Sequence, residues 1–429
     1  MTAEICLMNR YAVVLGADSA VTVQHWDSGE RKWVPRYFKG SNKIFQLSAH
    51  HPVGLMIYDS ASLHAVPWEV IVKEFRASLA KRACESPAQY AKEFFAFIKT
   101  NPHFFPDGHH VREFVQNSAI VALTMLWDAL RTESVKTSDD AGRPNAYRQI
   151  FEARRTEIQN INLPHHFSEA DLESAIREHS AAAAAELEGY AADELGAVGA
   201  DTRELIELAI EALFKTYRDY LGNNRTGIVV AGFGEHEIFP SYKEYECFGF
   251  LLDHLLVDEG KFGQISFDVV AEIQPFAQTS MVDTFEMGVS FDIYRNVFKQ
   301  TSMALAELAT RIQQELGVQV IPNLDQHIEQ VRDAHTKAWL DAAKVKHREP
   351  LNRVIGSLPV NEMAELAETL ISLQSLKEKV TTPSESVGGP VDVAVITRGD
   401  GFVWVKRKHY FDASLNPRYF ARQRTIYDI

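Results

Sequence analysis

Thr2-Ala-Glu-Ile-Cys-Leu-Met-Asn-Arg-Tyr-Ala-Val-Val-Leu-Gly-Ala-Asp18-Ser-Ala-Val-Thr22 is the stretch whose reading decides the fold. Residues 2–8 alternate, with Ala3, Ile5 and Leu7 on one face, as a strand does. Asn9-Arg10 reads as a tight turn. Tyr11 to Leu15 reads as a second, apolar strand closed by Gly16. A hairpin returns the chain to its starting point, so Asp18 is expected near Thr2. Thr2 follows the start methionine, and a small second residue lets that methionine be clipped. Clipping leaves one residue with both a hydroxyl nucleophile and a free α-amine that can take its proton. An unperturbed α-amine titrates at about 7.7–8.0, close to working pH.

Working outward, Ser41-Asn-Lys43-Ile-Phe-Gln-Leu47 starts another strand. A hydroxyl on residue 2, a buried carboxylate at Asp18 and a lysine at Lys43 make a coherent chemical set. The cation lowers the pKa of its neighbours, and the carboxylate holds the lysine in place.

These residues resemble the proteasome β-subunit family of N-terminal-nucleophile hydrolases, which includes bacterial HslV-like and Anbu-like peptidases. Gly16-Ala17-Asp18 and Thr22 fall in register with the family pattern, without a gap from Thr2. Lys43-Ile44 matches as well, after a loop from 24 to 42 that is longer than usual. Thr226-Gly-Ile-Val-Val-Ala-Gly-Phe-Gly234 is similar to the family's central strand, and Gly388-Gly-Pro-Val-Asp-Val-Ala-Val-Ile-Thr-Arg-Gly-Asp-Gly-Phe-Val-Trp-Val405 to its closing hairpin. Four such blocks in the right order cover about half of the chain.

The resemblance implies an α+β fold, a four-layer α-β-β-α sandwich, here with large helical insertions. It implies a threonine-type endopeptidase in which Thr2 attacks a peptide carbonyl after loss of Met1, Asp18 pairs with Lys43, and the Tyr58 N–H stabilises the oxyanion. Tyr58 stands where the family has a glycine. Ser386 matches a serine beside the nucleophile, whereas the neighbouring family aspartate is replaced by Pro383, with Glu385 nearby. A second family serine corresponds to Thr279 or Ser280. Val21, Thr22 and Met56 fall at substrate-binding positions, which implies an apolar side chain before the cut. No cofactor or metal is called for. The implied partners are peptide or unfolded-protein substrates, copies of the same chain in rings or stacks, and an ATP-dependent unfoldase. Two other readings stay open: a catalytically inactive scaffold of the same fold that binds a partner, and an N-terminal-nucleophile amidase acting on a small molecule.

Composition sets the outer bounds. The chain has 429 residues, 46% of them hydrophobic, enough for a sizeable core or several domains. A net charge of −14 argues against nucleic acid as the main partner. Three widely spaced cysteines, Cys6, Cys84 and Cys247, suit reduced thiols in a cytoplasmic setting. The N-terminus runs straight into a strand, so no signal peptide is expected. The most apolar run, Ala119 to Leu130, is too short to span a membrane and contains Asp128.

The remaining chain alternates between strand-rich and helix-rich stretches. Helices are predicted at 67–82, from Ser86, and at 111–132, 143–160, 168–194, 201–221, 280–316, 323–347 and 360–379. Strands are predicted at 226–233, 241–249 and 264–272, with a final hairpin at 391–407. On this pattern residues 1–84, 223–300 and 356–429 form the sandwich, while 85–222 and 301–355 are helical insertions. Other catalytic motifs are missing: there is no Gly-x-Ser-x-Gly elbow, no Walker A loop and no zincin helix after His236-Glu237. The pairs His50-His51, His109-His110 and His165-His166 read as surface loops.

Overall fold

The computed structural model describes residues 2–27, 32–317, 322–381 and 387–421. The opening hairpin forms as predicted, from β1 (Ala3–Asn9) and β2 (Ala12–Ala17). Asn9 makes the turn. Its side-chain oxygen accepts the N–H groups of Tyr11 (2.8 Å) and Ala12 (3.2 Å), an Asx-type turn that needs no glycine. A second hairpin, β3 (Ala20–Asp27) with β4 (Lys32–Lys39), occupies the stretch expected to be a loop. Next come β5 (Ile44–Gln46), β6 (Val53–Asp59), and the two-residue strands β7 (Ser62–Leu63) and β8 (Val66–Pro67).

Helices α1 (Trp68–Leu79), α2 (Pro87–Thr100), α3 (His109–Arg131), α4 (Glu133–Lys136), α5 (Arg143–Gln159), α6 (Glu169–Val198), α7 (Thr202–Lys215) and α8 (Tyr217–Leu221) follow. Their starts obey the capping rules. Ser86 caps α2 with Pro at the first turn, Asp201 caps α7, and Ser168 with Asp171 forms a full capping box on α6. Strands return as β9 (Thr226–Gly232), β10 (Ser241–Leu251), β11 (His254–Gln264) and β12 (Ala271–Ala277). Helices α9 (Ser280–Met287), α10 (Phe291–Leu316), α11 (Leu324–Ala343), α12 (Glu349–Ile355) and α13 (Val360–Thr381) lead to the closing hairpin of β13 (Asp392–Thr397) and β14 (Gly401–Lys406).

Other elements differ from expectation as well. The strand predicted at 264–272 falls between two real ones, because β11 and β12 flank it. The helix predicted at 280–316 breaks at Gly288, which adopts a left-handed φ of 72° and ends α9.

The strands build two five-stranded antiparallel sheets, ordered β12-β1-β2-β13-β14 and β11-β10-β9-β6-β5. Strand alternation gives each sheet two apolar faces. Ala3, Ile5, Leu7, Val14, Val393 and Val395 pack against Ala367, Leu370 and Ile371 of α13. Leu55, Ile57, Ile228 and Val230 pack against Trp68, Ile71 and Phe75 of α1 and Phe94 of α2. Side chains from the other faces, Cys6, Met8, Val13 and Leu15 against Met56, Tyr58, Val229 and Ala231, form one cluster. Each fully buried aliphatic side chain there contributes about 1.5–3 kcal/mol. Helices α3 to α7 make their own apolar cluster, which includes Phe248, Leu251 and Leu256 from β10 and β11. The protein is thus a mixed helix and sheet structure. No helix among the described residues is long and apolar enough to cross a membrane.

Candidate functional site

Alternation along β1 sets Thr2 and Glu4 on the same face as Cys6 and Met8. The register of the first hairpin pairs Glu4 with Ala17, so Asp18 lies across from Ala3. There Asp18 N–H donates to the Ala3 carbonyl (3.1 Å), and Ala3 N–H donates to Asp18 Oδ1 (3.3 Å). Lys43 arrives from the other sheet, at the start of β5, where its carbonyl accepts Ile57 N–H (2.9 Å). Its ammonium reaches Asp18 Oδ1 at 2.5 Å and Glu4 Oε1 at 3.1 Å. The Thr2 hydroxyl donates to Glu4 Oε2 at 3.0 Å. Thr2, Asp18 and Lys43, singled out from sequence, therefore converge. Glu4 completes the cluster.

All four residues are buried; Thr2 is 2% exposed, Glu4 2%, Asp18 1% and Lys43 4%. Buried charges persist only when paired and hydrogen-bonded. Asp18 meets that condition through three donors: Ala3 N–H, Lys43 Nζ and Gly388 N–H, the last at 2.7 Å to Oδ2. Gly388 and Gly389 adopt φ of 137° and 84°, a backbone region that favours glycine. That geometry aims the Gly388 N–H at Asp18 while its carbonyl takes Ser19 N–H (3.3 Å). Burial pushes Glu4 up to about 7, Lys43 pulls it back, and Asp18 adds to the rise.

Sequence reasoning missed Glu4. The signal was present: a carboxylate two residues from Thr2, on a strand whose alternate positions are Cys6 and Met8, belongs to a buried face. Reading Ala3, Ile5 and Leu7 as the one apolar face concealed it. Every residue of β1 is buried, on both faces.

Two expected site residues need correction. Tyr58 lies within β6, paired with Gly227 of β9. The Ile57 N–H points to the β5 side, so by strand alternation the Tyr58 N–H points to β9. A mid-strand N–H lies in the plane of its sheet and cannot reach an oxyanion formed at Thr2 on the facing sheet. The Tyr58 ring instead lies between the sheets and donates its hydroxyl to Glu244 Oε1 (2.5 Å). Met56 is fully buried in the same cluster and provides no open pocket surface. Val21 is half-buried on β3. Thr22 pairs with Tyr37 in that hairpin, and its side chain lies outside the described residues, as do Pro383, Glu385 and Ser386. The end of β12 reaches Thr2 directly, because Gln278 N–H donates to the Thr2 carbonyl (3.0 Å). Just beyond it, the Thr279 hydroxyl donates to Asp283 (2.5 Å), and the Ser280 hydroxyl accepts Lys377 Nζ (2.9 Å).

The cysteines are free and buried. Burial raises the Cys6 thiol well above its ordinary value and the Cys247 thiol to about 12, so both behave as small core residues.

The histidine pairs are not all loops. His109-His110 opens α3 and packs with His64, Phe105 and Phe250. His166 bonds Asp258 Oδ1 (2.9 Å). Among the described residues, His64, His109 and Glu113 are the group whose atoms, within 4.8 Å of one another, suit a metal. Proton placement argues otherwise for this arrangement. The Phe250 N–H donates to His64 Nε2 (2.7 Å), so neutral His64 carries its proton on Nδ1. That nitrogen faces Glu113 Oε2 at 3.5 Å as a donor and has no lone pair for an ion. Burial lowers His64, and it lowers His110 to about 4, so these rings are neutral at working pH.

No family model matches this sequence, and no curated protein matches it. Among solved structures, Anbu (ancestral beta-subunit) from Yersinia bercovieri aligns over 99% of this chain and 96% of that chain, at a TM-score of 0.27 and 6% sequence identity. An overlay this loose decides neither fold nor activity. What this chain shows is a threonine, two carboxylates and a lysine held together where its two sheets meet.

Proposed function

We propose that this protein is a proteasome-like threonine peptidase with the four-layer α-β-β-α architecture of N-terminal-nucleophile hydrolases. Its helical stretches at 85–222 and 301–355 are insertions into that sandwich. Thr2, freed by removal of Met1, is the nucleophile. One observation carries the reading: the hydroxyl of Thr2 shares a single buried cluster with Glu4, Asp18 and Lys43. The Asp18–Lys43 contact of 2.5 Å joins two sheets and concentrates charge around the hydroxyl. Such an arrangement is costly to bury, and replacing it with apolar side chains is often neutral or stabilising in other proteins, so its presence is better explained by chemistry than by stability. Attack by Thr2 Oγ on a peptide carbonyl gives an acyl-enzyme, which water hydrolyses. Peptides or unfolded chains are the substrates, and assembly into rings or stacks, served by an unfoldase, confines access.

Intact mass spectrometry tests the first step, with loss of the Met1 mass as the expected result. Hydrolysis of a fluorogenic peptide panel is expected to fall more than about 1,000-fold in Thr2→Ala, the scale seen when a nucleophile is deleted. Retained Met1 together with unchanged hydrolysis in Thr2→Ala would sink the reading.

A second reading has one observation of its own. Thr2 is 2% exposed, so in this conformation a substrate cannot reach it. A catalytically silent member of the fold, acting as a scaffold, accounts for that burial. The same Thr2→Ala comparison separates the two.

A further inference from the structure

Glu4 is the one charged member of the cluster that the mechanism above leaves without a task. It sits two residues from Thr2 on the same face of β1, and its two oxygens have divided roles. Oε1 lies 3.1 Å from Lys43 Nζ, while Oε2 accepts the Thr2 hydroxyl at 3.0 Å. Asp18 cannot share that second role. Its Oδ1 takes Ala3 N–H and Lys43 Nζ, and its Oδ2 takes Gly388 N–H. The two carboxylates therefore stand in different environments, one saturated by donors and one aimed at the nucleophile. Different environments for paired carboxylates mark different chemical tasks.

We propose that Glu4 is a catalytic residue, the general base that takes the Thr2 hydroxyl proton, so that nucleophilic attack does not depend on the α-amine. This rests on the reading of Thr2 as a nucleophile. In the first step Thr2 Oγ1 forms a bond to the acyl carbon and its proton passes to Glu4 Oε2. As the scissile C–N bond breaks, the same proton passes from Glu4 to the leaving amine. Water then attacks the ester, gives its proton to Glu4, and the carboxylic acid product leaves as Thr2 recovers its proton. Atoms and charge balance without a co-reactant. Lys43, 3.1 Å from Oε1, steadies the carboxylate before it accepts the proton. Burial that holds Glu4 near 7 suits the task, because a base works best when its pKa lies near the operating pH.

A β-lactone tests this, since it acylates a hydroxyl by ring opening and returns the proton to its own alkoxide. Labelling at Thr2 is read by peptide mass spectrometry across pH. Wild-type protein is expected to label with a rate that falls on the acid side of about pH 7, where Glu4 is protonated. Glu4→Gln is expected to label at least about 100-fold more slowly and to lose that acid limb, the usual scale for a deleted general base. Glu4→Asp, which keeps a shortened carboxylate, is expected to label slowly and retain the limb. Near-UV circular dichroism verifies that both variants are folded. Labelling of Glu4→Gln within about three-fold of wild type, or a slower rate with the acid limb intact, overturns the proposal, because a positioning role alone does not move the limb. If wild type is not labelled at Thr2 while remaining folded, the nucleophile reading itself fails, an outcome distinct from failure at Glu4.

Discussion

Glu4 binds its proton more tightly in the folded protein than in the unfolded one. Its ordinary value of 4.5 rises to about 7, with burial as the leading cause. The sign follows from proton linkage. A raised folded-state pKa contributes stability that is fully present below 4.5 and is lost as pH rises through about 7. Glu4→Gln removes that loss. At about 1.4 kcal/mol per pKa unit, the stability of the variant relative to wild type is expected to grow by about 3 kcal/mol between those limits and then level off. Urea unfolding at a series of pH values measures it. A difference that stays constant with pH contradicts the assignment. The trade is characteristic of a working site, since the ionised form needed to accept a proton is the form that folding disfavours. Thr2, Asp18 and Lys43 were legible from sequence because spacing and hairpin closure are local properties. Glu4 was legible too, two residues from Thr2 and in alternation with Cys6 and Met8, but taking the face of Ala3, Ile5 and Leu7 as the buried one concealed it. Tyr58 was misassigned because counting residues gives a position along a strand but not the direction of its N–H.

At the scale of elements, β9 shows how one small residue fixes the distance between a ring and a strand. A Cβ placed on Gly227 would lie 1.9 Å from Tyr58 Cζ, inside the ring. The ring cannot retreat freely. Its hydroxyl is bound to Glu244 and its face stacks on Phe276 with centroids 5.8 Å apart. Gly227→Ala is therefore expected to destabilise the protein by about 1–3 kcal/mol, the usual range for overpacking. Combined with Tyr58→Leu, the cost is expected to shrink, giving a coupling of at least about 0.5 kcal/mol in a double-mutant cycle. Additive effects in thermal unfolding would show that the ring does not feel residue 227. Element type was well marked in the sequence where caps were present, as at Ser86, Ser168 and Asp201. Boundaries were lost where the signals conflict. β11 carries Gly260 and Gly263, which weaken a strand pattern, and β12 carries Pro275. The break between α9 and α10 depends on a single glycine, Gly288, whose left-handed φ no periodicity reveals.

At the scale of the whole molecule, the two sheets were foreseeable from four short blocks of sequence, at Gly16–Asp18, Lys43–Ile44, Thr226–Gly234 and Gly388–Val405. Each falls on or directly beside a strand of one of the two sheets. Their mutual arrangement was not readable, since sheet order depends on contacts far apart in sequence. The proposed assembly is tested by native mass spectrometry, with an integer multiple of the chain mass above one as the expected result. Monomer alone across micromolar concentrations counts against rings and stacks. Glu4→Gln is expected to leave that multiple unchanged, because Glu4 is buried within the subunit.

The bond from Gly388 N–H to Asp18 Oδ2 spans 370 residues of sequence. β13, which follows it, is also the neighbour of β2 in the first sheet. A ribosome that has made the first 380 residues has therefore produced Thr2, Glu4, Asp18 and Lys43, yet neither the third donor to Asp18, the Gly388 N–H, nor the strand that flanks β2. The order of synthesis works as a timer. The pieces that finish the site emerge long after the residues they support, so the cluster waits for residue 388 and the strand beyond it before its surroundings are complete.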